Sequence, residues 1–117
     1  MAEHQLHVVS TSTAVIVALE GEHDVSQAAR LETTLSAVLA RGTSVVIDLT
    51  PCKFLDSRIL GVIFNAHRRA AEGQTIAVVA PPGSMARRIV DLAALNTLIP
   101  LFDATQDALA PVEHHLP

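Results

Sequence analysis

The sequence contains no tryptophan, no tyrosine and only three phenylalanines among its 117 residues. A core built on aromatic side chains is therefore excluded, and Val, Leu, Ile and Ala must fill the interior. Half the residues are apolar and the mean hydropathy is +0.39, ample for one hydrophobic core at this length. Cys52 is the single cysteine, which excludes a disulfide framework and a thiolate metal site. No block of like charge occurs, and the net charge is -4, so the electrostatic footprint of a nucleic-acid binder is missing. No apolar run approaches the roughly 20 residues of a membrane span. The opening MAEHQLHVVS has no apolar segment of the signal-peptide kind. These absences predict a cytoplasmic protein with no direct nucleic-acid contact.

Catalytic and metal chemistry are also poorly supplied. The six histidines, His4, His7, His23, His67, His114 and His115, are scattered, and none pairs with another at i, i+4 on a helix. No metal site and no cofactor are expected. Ser57 lacks the G-x-S-x-G turn of an α/β-hydrolase, and Pro82-Gly83-Ser84 lacks the rest of a phosphate-binding loop. Asp48 ends an apolar run as a phosphoacceptor aspartate would. The acidic pair and the lysine that such chemistry needs are missing from the ends of the other strands. No catalytic residue is assigned, and the protein is read as a non-enzyme.

What is present is a regular alternation of short elements. Strand-like runs around Leu6–Val9 and Ala14–Leu19 flank Ser10-Thr11-Ser12-Thr13, a cluster able to turn the chain through side-chain hydrogen bonds. Asp24, with Gln27 three residues on, predicts a capping box. The helix behind it carries Ala28, Leu31, Leu35, Val38 and Leu39 on one stripe and closes at Arg41-Gly42. Ser44–Ile47 reads as a buried strand, Leu49–Leu55 as a loop, and a second helix runs to about Ala71. A strand follows at Thr75–Val79. Next comes a helix with the stripe Met85, Ile89, Leu92 and Ala93, then an edge strand at Leu98–Leu101 broken by Pro100. A last helix starts at Asp103 or Thr105 with Ala104, Ala108, Leu109 and Val112 as its apolar positions. Glu113–Pro117 is expected to fray. The order β-β-α-β-α-β-α-β-α predicts a single α/β domain over residues 1–117, core about 5–112. Its sheet should be mixed and mostly parallel, with a leading β-hairpin and about four helices.

The chain is organised around Val45 to Asn65, where a buried strand, a short loop and a helix start follow one another. Asp56 and Ser57 stand at that helix start. Both residue types occur there for capping alone. The helix behind them carries two apolar stripes, one of Leu60, Ile63, Phe64 and His67, the other of Ile59, Val62, Ala66 and Ala70. One helix on one sheet face needs only one stripe. The second, starting beside Ser57, is what a partner-docking surface looks like, the alternative being cover by another element of the same domain.

Over VVIDLTPCKFLDSRILGVIFNAH the chain resembles the STAS family, the anti-sigma factor antagonists of bacteria. Asp48-Leu49, Phe54-Leu55, Asp56-Ser57 and Leu60-Gly61 match the family's pattern, and Leu19 to Asp24 matches its leading L-x-G-E-x-D element. Arg58 and Ile59 stand where the family has a second Ser/Thr and a Gly. Ile59 adds bulk at the helix start, where a partner would approach, and Arg58 is placed to pair with a phosphate on Ser57. The resemblance implies an anti-sigma factor antagonist whose partner is an anti-sigma factor with serine-kinase activity. It places phosphorylation at Ser57 and partner binding at Asp24, Asp56, Ser57, Arg58, Ile59 and Val62. Transcription would be regulated indirectly, by release of a sigma factor, and a weak homodimer is a further expectation. The alternative is a STAS-like structural or accessory subunit of a transport or signalling complex, in which Ser57 is only a cap.

Overall fold

The computed structural model describes residues 4–114. The leading hairpin is formed by β1 (His4–Ser10) and β2 (Ala14–His23), paired antiparallel with Leu6 opposite Leu19. Thr11 makes the turn in the expected way. Its Oγ1 accepts from the Ala14 N–H and donates to the Ala14 carbonyl, both at 2.9 Å. Helix α1 (Val25–Ala40) follows, and then β3 (Ser44–Asp48) returns parallel to β2.

Cys52–Leu55, expected as loop, is a fourth strand, β4, that pairs parallel with the far end of β2. Pro51 and Lys53 interrupt the apolar run and hide this strand from a periodicity reading. Its burial does not alternate, with Cys52 and Leu55 buried and Lys53 and Phe54 exposed. The pairing requires β2 to continue past Leu19. It does so through an irregularity between Gly21 and Glu22, with Gly21 at φ +83°, a conformation that favours glycine.

Helix α2 (Ser57–Arg69), β5 (Ile76–Val79), α3 (Met85–Leu92), a 3-10 turn (Leu95–Thr97), β6 (Leu101–Phe102) and α4 (Thr105–His114) complete the chain. The strand order is β1-β2-β3-β5-β6, with β4 beside β2, and every pairing except the hairpin is parallel. The final strand lies at the edge as expected but starts three residues later, because Leu95–Thr97 coils. Helix α4 runs on through Glu113 and His114, where fraying was expected. Residues 115–117, like 1–3, lie outside the described residues, and so does the side chain of Val112.

Alternation along the strands divides the core. Val45, Ile47, Ile76 and Val78 face α1, α2 and α3, while Val46, Ala77 and Val79 face Ala108 and Leu109 of α4. The stripe expected on α3 is displaced by one position. Ala86 and Val90 are its buried residues and Ile89 is half-buried, whereas Met85 is 53% and Leu92 79% exposed. Small side chains on the inner face let this short helix sit close to the sheet. Arg87 fastens it, donating to the Ala80 carbonyl at 3.0 Å and to Asp103 Oδ1 at 2.7 Å.

Candidate partner-binding site

Two helices start side by side at one end of the sheet. His23 of β2 is the register partner of Leu55 of β4, and the next residue on each strand is a helix N-cap, Asp24 and Asp56. The Asp56 N–H donates to the His23 carbonyl at 3.2 Å, which ties the two caps together. At Asp24 the expected capping box is complete, the Asp24 N–H donating to Gln27 Oε1 at 2.8 Å. At Asp56 one oxygen, Oδ1, accepts from the N–H groups of Arg58 at 3.0 Å and Ile59 at 3.2 Å. Each cap contributes about 1 kcal/mol.

Ser57 is exposed in the first turn of α2, and its hydroxyl makes no hydrogen bond to any described residue. Capping here is the work of Asp56 alone. The Ser57 hydroxyl is free for chemistry from solvent, and the N-terminal end of a helix favours an anion placed on it.

Beside Ser57 runs a groove of about 680 Å³ between α1 and α2. Of the six predicted partner-binding residues, Asp56, Ser57, Arg58 and Val62 line it, while Asp24 caps the neighbouring helix. Ile59 does not belong to this surface. It is fully buried in the core, so its bulk is directed inward and does not obstruct the approach to Ser57. Val62 is also mostly buried and forms the groove's floor.

The second apolar stripe needs a related correction. Ile59, Val62 and Ala66 are buried within the same core cluster as Leu31 and Leu35 of α1, the helix packed against α2. Both stripes are thus used inside the domain. One helix needs two because α2 is covered by the sheet on one side and by α1 on another.

Val25, Glu32, Gly61 and Asn65 also line the groove and were not among the partner-binding residues expected from the sequence. Val25, the first residue of α1, is 60% exposed. Its signal was an apolar residue directly after a cap and off the helix's own stripe. The signal for Gly61 was a glycine inside a helix, which costs about 1 kcal/mol relative to alanine.

Asp48, His7 and His23 make local contacts, the His23 Nε2 lying 2.9 Å from the Glu20 carbonyl. Asp48 Oδ1 accepts from the Thr50 N–H at 2.9 Å, an Asx turn. His7 lies 3.3 Å from Glu20 across the hairpin. Among the described residues no cluster of His, Cys, Asp or Glu could hold a metal ion, and no helix is long and apolar enough to cross a membrane.

The family model described as Mlab, STAS domain, matches residues 6–100. This chain belongs to the STAS-domain family. The domain is 32% identical over 106 residues to RsfB of Mycobacterium tuberculosis, an anti-sigma-F factor antagonist, across 90% of this chain and 86% of that protein. The crystal structure of an anti-sigma factor antagonist from Mycobacterium paratuberculosis superposes with a TM-score of 0.87 at 28% identity, covering 95% of each chain. The anti-sigma factor antagonist SpoIIAA in its unphosphorylated form has a TM-score of 0.70 at 19% identity over 97% of this chain and all of its own. That last likeness is one of fold. The mixed, mostly parallel sheet with its leading hairpin and four helices is the STAS architecture.

Proposed function

We propose that this STAS domain is an anti-sigma factor antagonist. It binds an anti-sigma factor that is also a serine kinase, frees the sigma factor held by that partner, and is switched off by phosphorylation at Ser57. It acts as a binding module rather than a catalyst. The observation that carries the reading is the exposed, unengaged Ser57 hydroxyl beside the α1–α2 groove. The anti-sigma factor antagonists similar to this chain in sequence and structure support it.

In the unmodified state the docking face is neutral at Ser57, with apolar Val25 and Val62 nearby and the carboxylates of Asp24 and Asp56 engaged as caps. Phosphorylation joins the Ser57 Oγ to the γ-phosphorus of ATP. The bond to the β-phosphate oxygen breaks, ADP leaves, and the hydroxyl proton passes to a base of the kinase. The product carries about -1.5 to -2 charges at that spot. The helix N-terminus favours this charge by about 0.3–1 kcal/mol, so the fold is kept. A partner that covers the phosphate without supplying a cation must desolvate it, and the complex is lost. Arg58, one residue along the helix, offsets the charge in the free protein.

The test is to incubate the protein with ATP and each purified anti-sigma kinase encoded near its gene, recording intact mass and complex formation. The expected result is a single phosphoryl group on the wild type, none on Ser57→Ala, and loss of the complex for Ser57→Asp. An unmodified wild type together with unchanged binding by Ser57→Asp would overturn the switch.

A further inference from the structure

The outer edge of α2 carries three arginines that form no ion pair among the described residues. Arg58, Gly61, Asn65 and Arg68 follow one another at i, i+3, i+7 and i+10, one face of a helix, with Arg69 beside the last. Arg58 and Asn65 line the groove next to Ser57. Asn65 also lines its continuation, a further 280 Å³ bounded by Glu32, Arg68 and Arg69. All three arginines are exposed, and none enters an ion pair among the described residues; Arg68 only stacks over Phe64, 5.9 Å from the ring centre. Helix α2 contains no acidic residue at all, within a chain of net charge -4.

The helix dipole accounts for half of this pattern. Cations in the last turn, Arg68 and Arg69, complement the carbonyl end. A cation in the first turn does the opposite, yet Arg58 stands there, with Asp56 committed to capping. Gly61 breaks a second local rule. Nothing in the domain lies within 4 Å of where its Cβ would be, so no internal packing requires a residue this unfavourable in a helix. Local rules broken without compensation inside the chain point to compensation from outside it.

We infer that the α1–α2 groove receives an acidic helix of the protein partner along its whole length. This rests on the reading of the preceding section and extends it from Ser57 to the far end of α2. Carboxylates of that helix pair with Arg58 at one end and with Arg68 and Arg69 at the other, about 15 Å away for ten residues of rise. Between them its backbone comes close over Gly61, where any side chain would hold it off. Charge complementarity selects the occupant at the far end, where Arg68 and Arg69 outnumber Glu32; at the other end Arg58 shares the groove with Asp56 and Glu32.

The experiment is titration calorimetry of the full-length chain against the anti-sigma factor that the wild type binds, at low and high salt. The variants are R68E/R69E, R58E, G61L and S57D, each checked for unchanged circular dichroism. R68E/R69E is expected to weaken binding at least about tenfold and to flatten its salt dependence, and G61L to weaken it comparably. Replacing the partner's carboxylates by lysine should restore binding to R68E/R69E. Binding by R68E/R69E and G61L within about twofold of wild type overturns the inference and leaves the functional reading standing. So does a salt dependence that the substitutions do not change. If sedimentation shows that R68E/R69E only dissolves a homodimer, the occupant is a second copy and the inference falls. A wild type that binds no anti-sigma factor removes the functional reading itself.

Discussion

The N–H of Asp56 donates to the carbonyl of His23 at 3.2 Å, and this bond sets the starts of α1 and α2 side by side. Asp56 thereby has two separable roles: it caps α2 through Oδ1, and it places a carboxylate beside Ser57. Asp56→Ala should destabilise the domain by about 1 kcal/mol in urea denaturation, because the N–H groups of Arg58 and Ile59 lose their acceptor. Asp56→Asn keeps an acceptor and removes the charge. Its stability should stay near that of the wild type, so any change in phosphorylation rate in that variant reports on the charge.

Ser57→Ala should alter stability by less than about 0.5 kcal/mol, since the hydroxyl bonds to no described residue. Ser57→Asp sets the gain from the helix N-terminus, about 0.3–1 kcal/mol, against repulsion from the adjacent Asp56. The net shift in Tm should be below about 4 °C. Thermal melts followed by circular dichroism check both. A large loss in either variant would mean that Ser57 is structural.

Much of this was legible in the chain because local chemistry and fold agree. Thr11 turns the hairpin, Asp24 and Gln27 form their box, and the runs at Val45 and Ile76 are buried strands. Strand β4 escaped because four residues holding Lys53 show no clear period, and their strand identity comes from β2, a partner distant in sequence. The second stripe of α2 was legible as a demand for cover. Its cover, α1, is a tertiary fact that periodicity does not contain. That Val25, Glu32 and Gly61 line the groove was hidden for the same reason, since a groove belongs to two helices and to neither pattern alone.

Ile59 and Leu92 make opposite predictions from similar side chains. Ile59→Gly restores the residue of the family pattern but empties a fully buried site, and should cost about 3 kcal/mol or more. Leu92, by contrast, is 79% exposed at the end of α3, and Leu92→Ser should stay within about 0.5 kcal/mol. Urea midpoints of the two variants decide whether burial or sequence pattern sets the cost.

Cys52 should contribute to a loss of stability at alkaline pH. The thiol is buried at 6% exposure on the inner side of β4, and burial pushes its pKa from 9.0 up to about 11. Below pH 9.0 folded and unfolded chains both keep the proton, and this group gives stability no pH dependence. Between pH 9.0 and about 11 the unfolded chain releases a proton that the folded chain retains, so stability falls as pH rises. The loss across that window is on the order of 2 kcal/mol. No tyrosine titrates nearby to obscure it. Cys52→Ala should lower stability at neutral pH through the lost packing, and should remove this part of the alkaline slope. Urea denaturation across the window measures it: equal slopes for wild type and Cys52→Ala would show that the thiol ionises as freely in the fold as outside it. The same burial makes the thiol a poor nucleophile, so alkylation of the native protein should proceed only as fast as the domain opens.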